Sequence, residues 1–252
     1  MAIQTTEALV LNRRDFRETS VLATFYSKDF GKVKGILKGI RSEKHRYGSS
    51  AELFSLNKIV FYEKSRGEFN NITQCDLIDG FFGIRKCLSA IAYANYIVEL
   101  VDAMTEPDEK NIRVYELLHK SLRLLSKGEE PNRITRIFEL KFLCFLGFAP
   151  MLNSCIHCNA PVSEKARFSL LRRGMLCERC LKEDPNARAV SKGTVQTLRH
   201  LENAKLDSLS KFKITKSIES ELSVLIEELL ESHLEKPLKS KKFIKDIQKL
   251  TK

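Results

Sequence analysis

The 252-residue chain is short of the features by which a sequence usually declares membrane insertion, export or catalysis. No apolar run approaches the ~18 residues that a membrane-spanning helix requires. The opening Met1-Ala2-Ile3-Gln4-Thr5-Thr6-Glu7 has neither the basic region nor the apolar stretch of a secretory signal, so a cytoplasmic location is expected. There is no Gly-x4-Gly-Lys-Ser/Thr phosphate loop, no Gly-x-Ser-x-Gly elbow and no His-Glu-x2-His pair. Gly31-Lys32-Val33-Lys34-Gly35 resembles a phosphate loop in composition only, and ATP hydrolysis of the common kind is removed. Acidic residues are also scarce: 32 Asp+Glu stand against 43 Lys+Arg, for a net charge of +11. Such an excess favours polyanions, with nucleic acid first, anionic membrane second and acidic protein tails third. Seven cysteines is an odd number, and without an export signal a disulfide framework is not expected.

What is present falls into two regimes. From Thr5 to about Asp79 the chain alternates with a period of two. The strands are read at Thr6–Leu11, Thr19–Ser27, Lys32–Lys38, Leu53–Glu63 and Phe69–Ile78. A charged turn at Asn12–Glu18, a turn at Asp29-Phe30-Gly31 and a turn at Ser65-Arg66-Gly67 separate most of them. Five short strands with one long connection fit a small closed barrel of the oligonucleotide-binding (OB) type, although a sandwich fragment would look similar. Beyond Gly80 the period lengthens to about 3.6. Ile84, Leu88, Ile91 and Val98 mark a first helix; Ile112, Tyr115, Leu118, Leu122 and Leu125 mark a second. Pro131 opens a third that ends near Gly147, and further helices are read at Thr194–Asn203 and Thr215–Glu235. The predicted class is α+β, with an OB domain at 1–80 and a helical domain at 81–252.

Cys155, Cys158, Cys177 and Cys180 form two Cys-x2-Cys pairs separated by eighteen residues. Each tight turn aims two thiolates at one ion, and the longer gap brings the second turn round to complete a tetrahedron. Four soft thiolates select zinc, with iron the main competitor. The alternative is four unligated thiols, since free cysteine is often a small buried residue. Four cysteines close the coordination shell, so the expected ion is a single structural zinc in a module at 150–182. His157, wedged inside the first pair, is an awkward substitute ligand. A zinc deaminase would need a His-x-Glu ahead of its cysteines, and none precedes Cys155.

Two basic clusters point to the barrel. Lys32, Lys34, Lys38, Arg41, Lys44 and Arg46 set six cations against the single acid Glu43. Lys32 and Lys34 share one face of the third strand while Val33 turns to the core. The first loop is expected to contribute Arg13, Arg14 and Arg17, with Phe16 among them as a stacking platform, and Tyr47 to act likewise. Both clusters fall where an OB barrel places its nucleic-acid groove. The plainer alternative is a solvated, lysine-protected edge. The tail from Lys236 to Lys252 carries seven lysines and one acid, Asp246. It is read as a frayed terminus, with docking through Phe243, Ile247 and Leu250 as the alternative. Cys75, Cys87 and Cys144, and the stripe Phe138, Phe142, Phe145 and Phe148, are assigned to core.

In this order the features resemble the RecO family of bacterial recombination mediators. The resemblance rests on Glu7-Ala8-Leu9-Val10-Leu11 with Glu18 and Ser20, and on Gly31-Lys32 followed by Lys38-Gly39. Gly147-Phe148-Ala149-Pro150 before the first cysteine pair, then Phe168-Ser169 and Gly174 before Cys177, extend it over nearly the whole chain. It implies an N-terminal OB domain, a helical C-terminal domain and an embedded zinc module. It also implies a non-catalytic protein that binds and anneals single- and double-stranded DNA. Such a protein engages the acidic tail of single-strand-binding protein and works with RecR to load RecA. Asn159 and Arg173 depart from the pattern, standing where glycine is common. Some relatives lack the cysteines, so zinc is not essential to the family's function. An RNA-binding or ribosome-associated factor and a zinc-dependent nucleic-acid enzyme are the competing readings.

Overall fold

The computed structural model describes residues 2–40, 51–63, 67–163, 165–204 and 215–250. Two compact units divide the chain: residues 1–135 with 236–252, and residues 136–235. The first unit opens with β1 (Ile3–Phe16), β2 (Ser20–Ser27), β3 (Gly31–Leu37), β4 (Leu56–Tyr62) and β5 (Asn70–Asp79). They close into a barrel in the order β1-β2-β3-β5-β4, β3 meeting β5 in parallel over Gly35–Leu37. Closure depends on the length of β1. Its Ile3–Leu9 stretch pairs with β4 and its Ala8–Phe16 stretch with β2, with a bulge between Val10 and Asn12.

Alternation decides which side chains fill the barrel. Val21, Ala23 and Phe25 of β2 point inward with Val33 and Leu37 of β3; Ile59 and Phe61 of β4 and Ile72 of β5 meet them. Phe30 closes one end with its ring edge-on to Phe61, centroids 5.4 Å apart. Leu9 and Leu11 face away from the interior and are buried nonetheless, which accounts for the unbroken run Ala8-Leu9-Val10-Leu11. Gly31 begins β3 at φ 63°, and a Cβ there would stand 2.0 Å from the backbone oxygen of Glu109. No other residue fits.

The first-loop reading is corrected. β1 continues through Phe16 because Asp15 pairs with Val21 and Phe16 with Ser20. Arg13, Arg14 and Phe16 therefore sit on a strand, and the turn shrinks to Arg17–Thr19.

The helices are α1 (Leu88–Met104), α2 (Ile112–Ser126), α3 (Pro131–Phe145), α4 (Lys192–Asn203), α5 (Lys216–Glu231) and α6 (Lys239–Leu250). In the first unit α1 packs on β1 and also carries α6. Asn111 caps α2, its side-chain oxygen accepting from the Val114 amide at 3.3 Å. The lysine-rich tail, read as frayed, is helical over Lys239–Leu250. The amides of Lys239 and Ser240 donate to the two carboxylate oxygens of Glu99 on α1, at 2.9 and 2.8 Å. Gln248 Nε2 donates to Tyr93 Oη at 3.0 Å, and Leu238 and Ile247 are buried. Phe243 is 41% exposed and anchors nothing.

In the second unit, β6 (Arg167–Ser169), β7 (Gly174–Leu176) and β8 (Arg188–Ala189) form a small sheet in the order β7-β6-β8. Leu222, Leu225, Ile226 and Leu229 of α5 are buried, as their spacing predicts. Glu221 of α5 accepts from the amide and hydroxyl of Ser191, the residue that caps α4, at 2.9 and 2.6 Å. Phe138 and Phe142 stack at 5.4 Å in the core, whereas Phe145 and Phe148 are only half-buried. Of the three remaining cysteines Cys75 is core, Cys144 is half-buried and Cys87 is exposed just ahead of α1, so the core assignment fails for Cys87. No helix among the described residues is long and apolar enough to cross a membrane.

Candidate nucleic-acid interface and metal centre

The outer face of β1, β2 and β3 is set by register. Arg14 pairs with Leu22, which pairs with Ile36; Asn12 pairs with Thr24, which pairs with Lys34. Side chains in these rows alternate with the core residues, so Arg14, Lys32 and Lys34 share the outward face. All three line one groove of about 630 Å³.

Their charges are not equally available. Lys32 is 7% exposed, and its ammonium donates to the Asp102 carbonyl at 2.7 Å with the Asp102 carboxylate at 3.6 Å. Such burial of a cation requires a compensating partner, and α1 supplies it. Lys34 pairs with Glu68, and Arg13 pairs with Glu52. Arg14, Arg17 and Lys38 remain exposed, without an acidic partner among the described residues. Arg17 and Lys38 lie at one end of the barrel, because Phe16 opposes Ser20 and Val21 opposes Leu37. The Arg17 guanidinium stands 5.2 Å from the centroid of the Phe16 ring. Arg41, Lys44, Arg46 and Tyr47 lie outside the described residues.

The cysteines converge. The sulfurs of Cys155, Cys158, Cys177 and Cys180 all lie within 4.8 Å of one another, with Cys158 and Cys177 at 3.6 Å. A tetrahedron with ~2.3 Å metal–sulfur bonds has sulfur–sulfur edges of about 3.8 Å, so the four thiols can share one ion. Two knuckles aim them. The Asn159 amide donates to Cys155 O at 2.8 Å, and the Cys180 amide to Cys177 O at 2.9 Å. The Ile156 amide donates to Met175 O at 2.8 Å, which fastens the first knuckle to β7. Asn159 and Arg173 have φ of 61° and 56°. These are the two places where glycine was expected, and the left-handed backbone is the reason.

Burial works against ionisation of Cys155, but hydrogen bonds from the backbone of Cys177, Cys158 and His157 pull its thiol down to about 6. Cys180 is pushed up by burial and by its own hydrogen bonds with Cys158, Cys177 and Cys155. His157 points its Nδ1 to Glu183 at 3.7 Å and takes no place among the sulfurs. The chain's His-x-Glu pairs, His200 with Glu202 and His233 with Glu235, follow the cysteines in sequence and are not part of the cluster. The set is therefore all-sulfur, the donor chemistry of a closed site.

The family model described as Recombination protein O N terminal matches residues 1–81, and Recombination protein O C terminal matches residues 85–242. The chain belongs to the RecO family. Among relatives named DNA repair protein RecO, that of Desulforamulus reducens is 33% identical over 99% of this chain and 96% of its own length. Those of Pelotomaculum thermopropionicum and Acetivibrio thermocellus are 31% and 28% identical, each over 97% of this chain. They span 94% and 97% of their own lengths. The RecO family assignment makes this a protein of DNA repair and recombination, carrying the OB-type barrel and the cysteine cluster described above.

Proposed function

We propose that this RecO-family chain is a non-catalytic recombination mediator that binds single- and double-stranded DNA on the outer face of its barrel and anneals complementary strands. The observation that carries the reading is the set of exposed cations Arg14, Arg17 and Lys38 on a closed OB barrel, without acidic partners among the described residues and with Arg17 beside the Phe16 ring. Cations of this kind neutralise phosphates without reading sequence, while an aromatic face accepts an unstacked base. Residues 1–80 form the DNA-binding domain in this reading, and 81–252 the helical domain with its zinc module at 150–182. Arg41, Lys44 and Arg46, which follow β3 in the sequence, contribute to DNA binding in this reading, whereas Lys32, Lys34 and Arg13 act mainly through their acidic partners as a scaffold. With RecR, the protein helps load RecA onto DNA coated by single-strand-binding protein, whose acidic tail it engages, and it works in the cytoplasm at the nucleoid.

Cys155, Cys158, Cys177 and Cys180 hold one structural zinc. The ion supplies folding energy to the module and no reaction step, since four thiolates leave no position for water.

Anisotropy with labelled single-stranded DNA, duplex and RNA across a salt series tests the reading. If about six phosphates are contacted on duplex, log K falls against log salt with a slope near −5. A flat response, or a clear preference for structured RNA, would sink it.

A further inference from the structure

The groove on the barrel's outer face has a second wall. Lys236, Pro237 and Leu238, which lead into α6, and Lys239, its first residue, line it together with Arg14, Lys34 and Phe69. These residues arrive from the far end of the sequence and belong to the same compact unit as the barrel. We infer that this C-terminal segment clamps a single strand of nucleic acid against the barrel, with Lys236 and Lys239 taking phosphates and Phe69 taking a base. The inference rests on the barrel-face DNA binding proposed above and adds to it a strand preference and three residues.

Charge accounts for the polyanion. Three acids line the groove and each is engaged: Asp102 with Lys32, Glu68 with Lys34, and Glu99 with the first amides of α6. Arg14, Lys236 and Lys239 are exposed, and their side chains meet no acid among the described residues. Five cations, Arg14, Lys32, Lys34, Lys236 and Lys239, line the groove against these three acids, and that excess of positive charge suits successive phosphates of one chain. The start of α6 is not itself an anion site, because Glu99 already accepts from its amides. The same clasp fixes where the two lysines stand.

Size and shape account for the single strand. A volume of about 630 Å³ falls in the ~300–1,000 Å³ range of sites that enclose a small ligand, room for a nucleotide or two and not for a duplex. Phe69, half-buried, lines the groove and supplies the aromatic ring on which a base can stack. A peptide of Asp and Glu would meet the same cations, but it offers no aromatic ring to stack on Phe69.

The test uses the full chain, a labelled oligothymidylate and a blunt duplex in anisotropy over a potassium chloride series. Lys236→Gln with Lys239→Gln is expected to weaken oligothymidylate binding roughly tenfold at low salt. It should also make the log K–log salt slope shallower by about 1.4, two phosphates' worth for a single strand. Lys242→Gln with Lys245→Gln removes the same charge from exposed positions of α6 outside the groove and should change affinity less than twofold. Equal loss in both pairs, or no loss in the first, overturns the clamp. Arg14→Gln separates the two levels of argument. If it weakens binding and the Lys236/Lys239 pair does not, the barrel site stands and the clamp falls; if neither matters, both fall. Loss of polyglutamate binding in the Lys236/Lys239 variant with oligothymidylate binding unchanged makes the groove a peptide site and refutes the inference. Restoring charge with Lys236→Arg and Lys239→Arg must restore the slope, and circular dichroism melting reports whether each variant is folded.

Discussion

The barrel and the cysteine module are held together by different means. Inside the barrel, side chains from all five strands interlock, with Phe25, Ile59, Val21 and Val10 wholly shielded from water. The module has strands of three, three and two residues, and its cluster consists of Leu176, Ala187 and three of the cysteines themselves. Away from the cysteine sulfurs, the module's apolar burial comes mainly from Phe168, Met175 and Leu176 on its short strands, a smaller core than the barrel's. One region folds because its side chains exclude water. The other is arranged round four sulfur donors close enough to share one ion.

The comparison breaks most visibly at the cysteines. Cys155→Ser should abolish stoichiometric zinc and unfold the module, since structural zinc contributes on the order of 10 kcal/mol in small zinc domains. Hydrogen exchange should show residues 155–189 losing protection while β1 to β5 keep theirs, with metal analysis run on the same sample. Protection lost equally in the barrel would end the distinction. The converse variant, Phe25→Ala, should cost the barrel about 3–5 kcal/mol in urea unfolding and leave zinc content at one ion per chain. The smallest effect sharpens the module alone. Arg173→Gly relieves a left-handed backbone worth about 1–2 kcal/mol but loses the hydrogen bond to His233 Nε2, 2.8 Å away and exposed. A net gain of about 0.5 kcal/mol is expected in thermal unfolding of the zinc-loaded protein; a loss would mean that the Arg173–His233 contact outweighs the strain.

The parts that local pattern can encode were legible in the sequence. Val21, Ala23 and Phe25 alternate because a strand alternates, and the tight turn before Gly31 needs a residue without a side chain. The cysteine quartet is visible from its spacing alone, because two short pairs and one long gap are what a tetrahedron demands. The apolar stripe of α5 is equally local. What stayed hidden depends on partners far away in the chain. A solvated lysine and a buried one look alike in sequence, and Lys32 differs from Lys38 only because Asp102, 70 residues on, reaches it. The tail reads as frayed until Glu99 closes the start of α6 from 140 residues away. Phe69 passed as the first residue of a strand, and nothing short of the assembled barrel places it beside Lys236 and Lys239. Cys87 reads as core among apolar neighbours, yet it falls just ahead of α1, where the side chain turns outward.

Docking of α6 on α1 also fixes an order of events during synthesis. The ribosome makes residues 2–135 first and the last stretch of their own compact unit only after residues 136–235. A nascent chain emerging at about 5–20 residues per second can close its barrel, and must then wait several seconds with the flank of α1 uncovered. Glu99 meets its amides only when the C-terminal lysines leave the exit tunnel. A stalled or truncated product would carry a finished barrel and an unfinished unit, so a missing C-terminal segment would be felt first near the N-terminal strands.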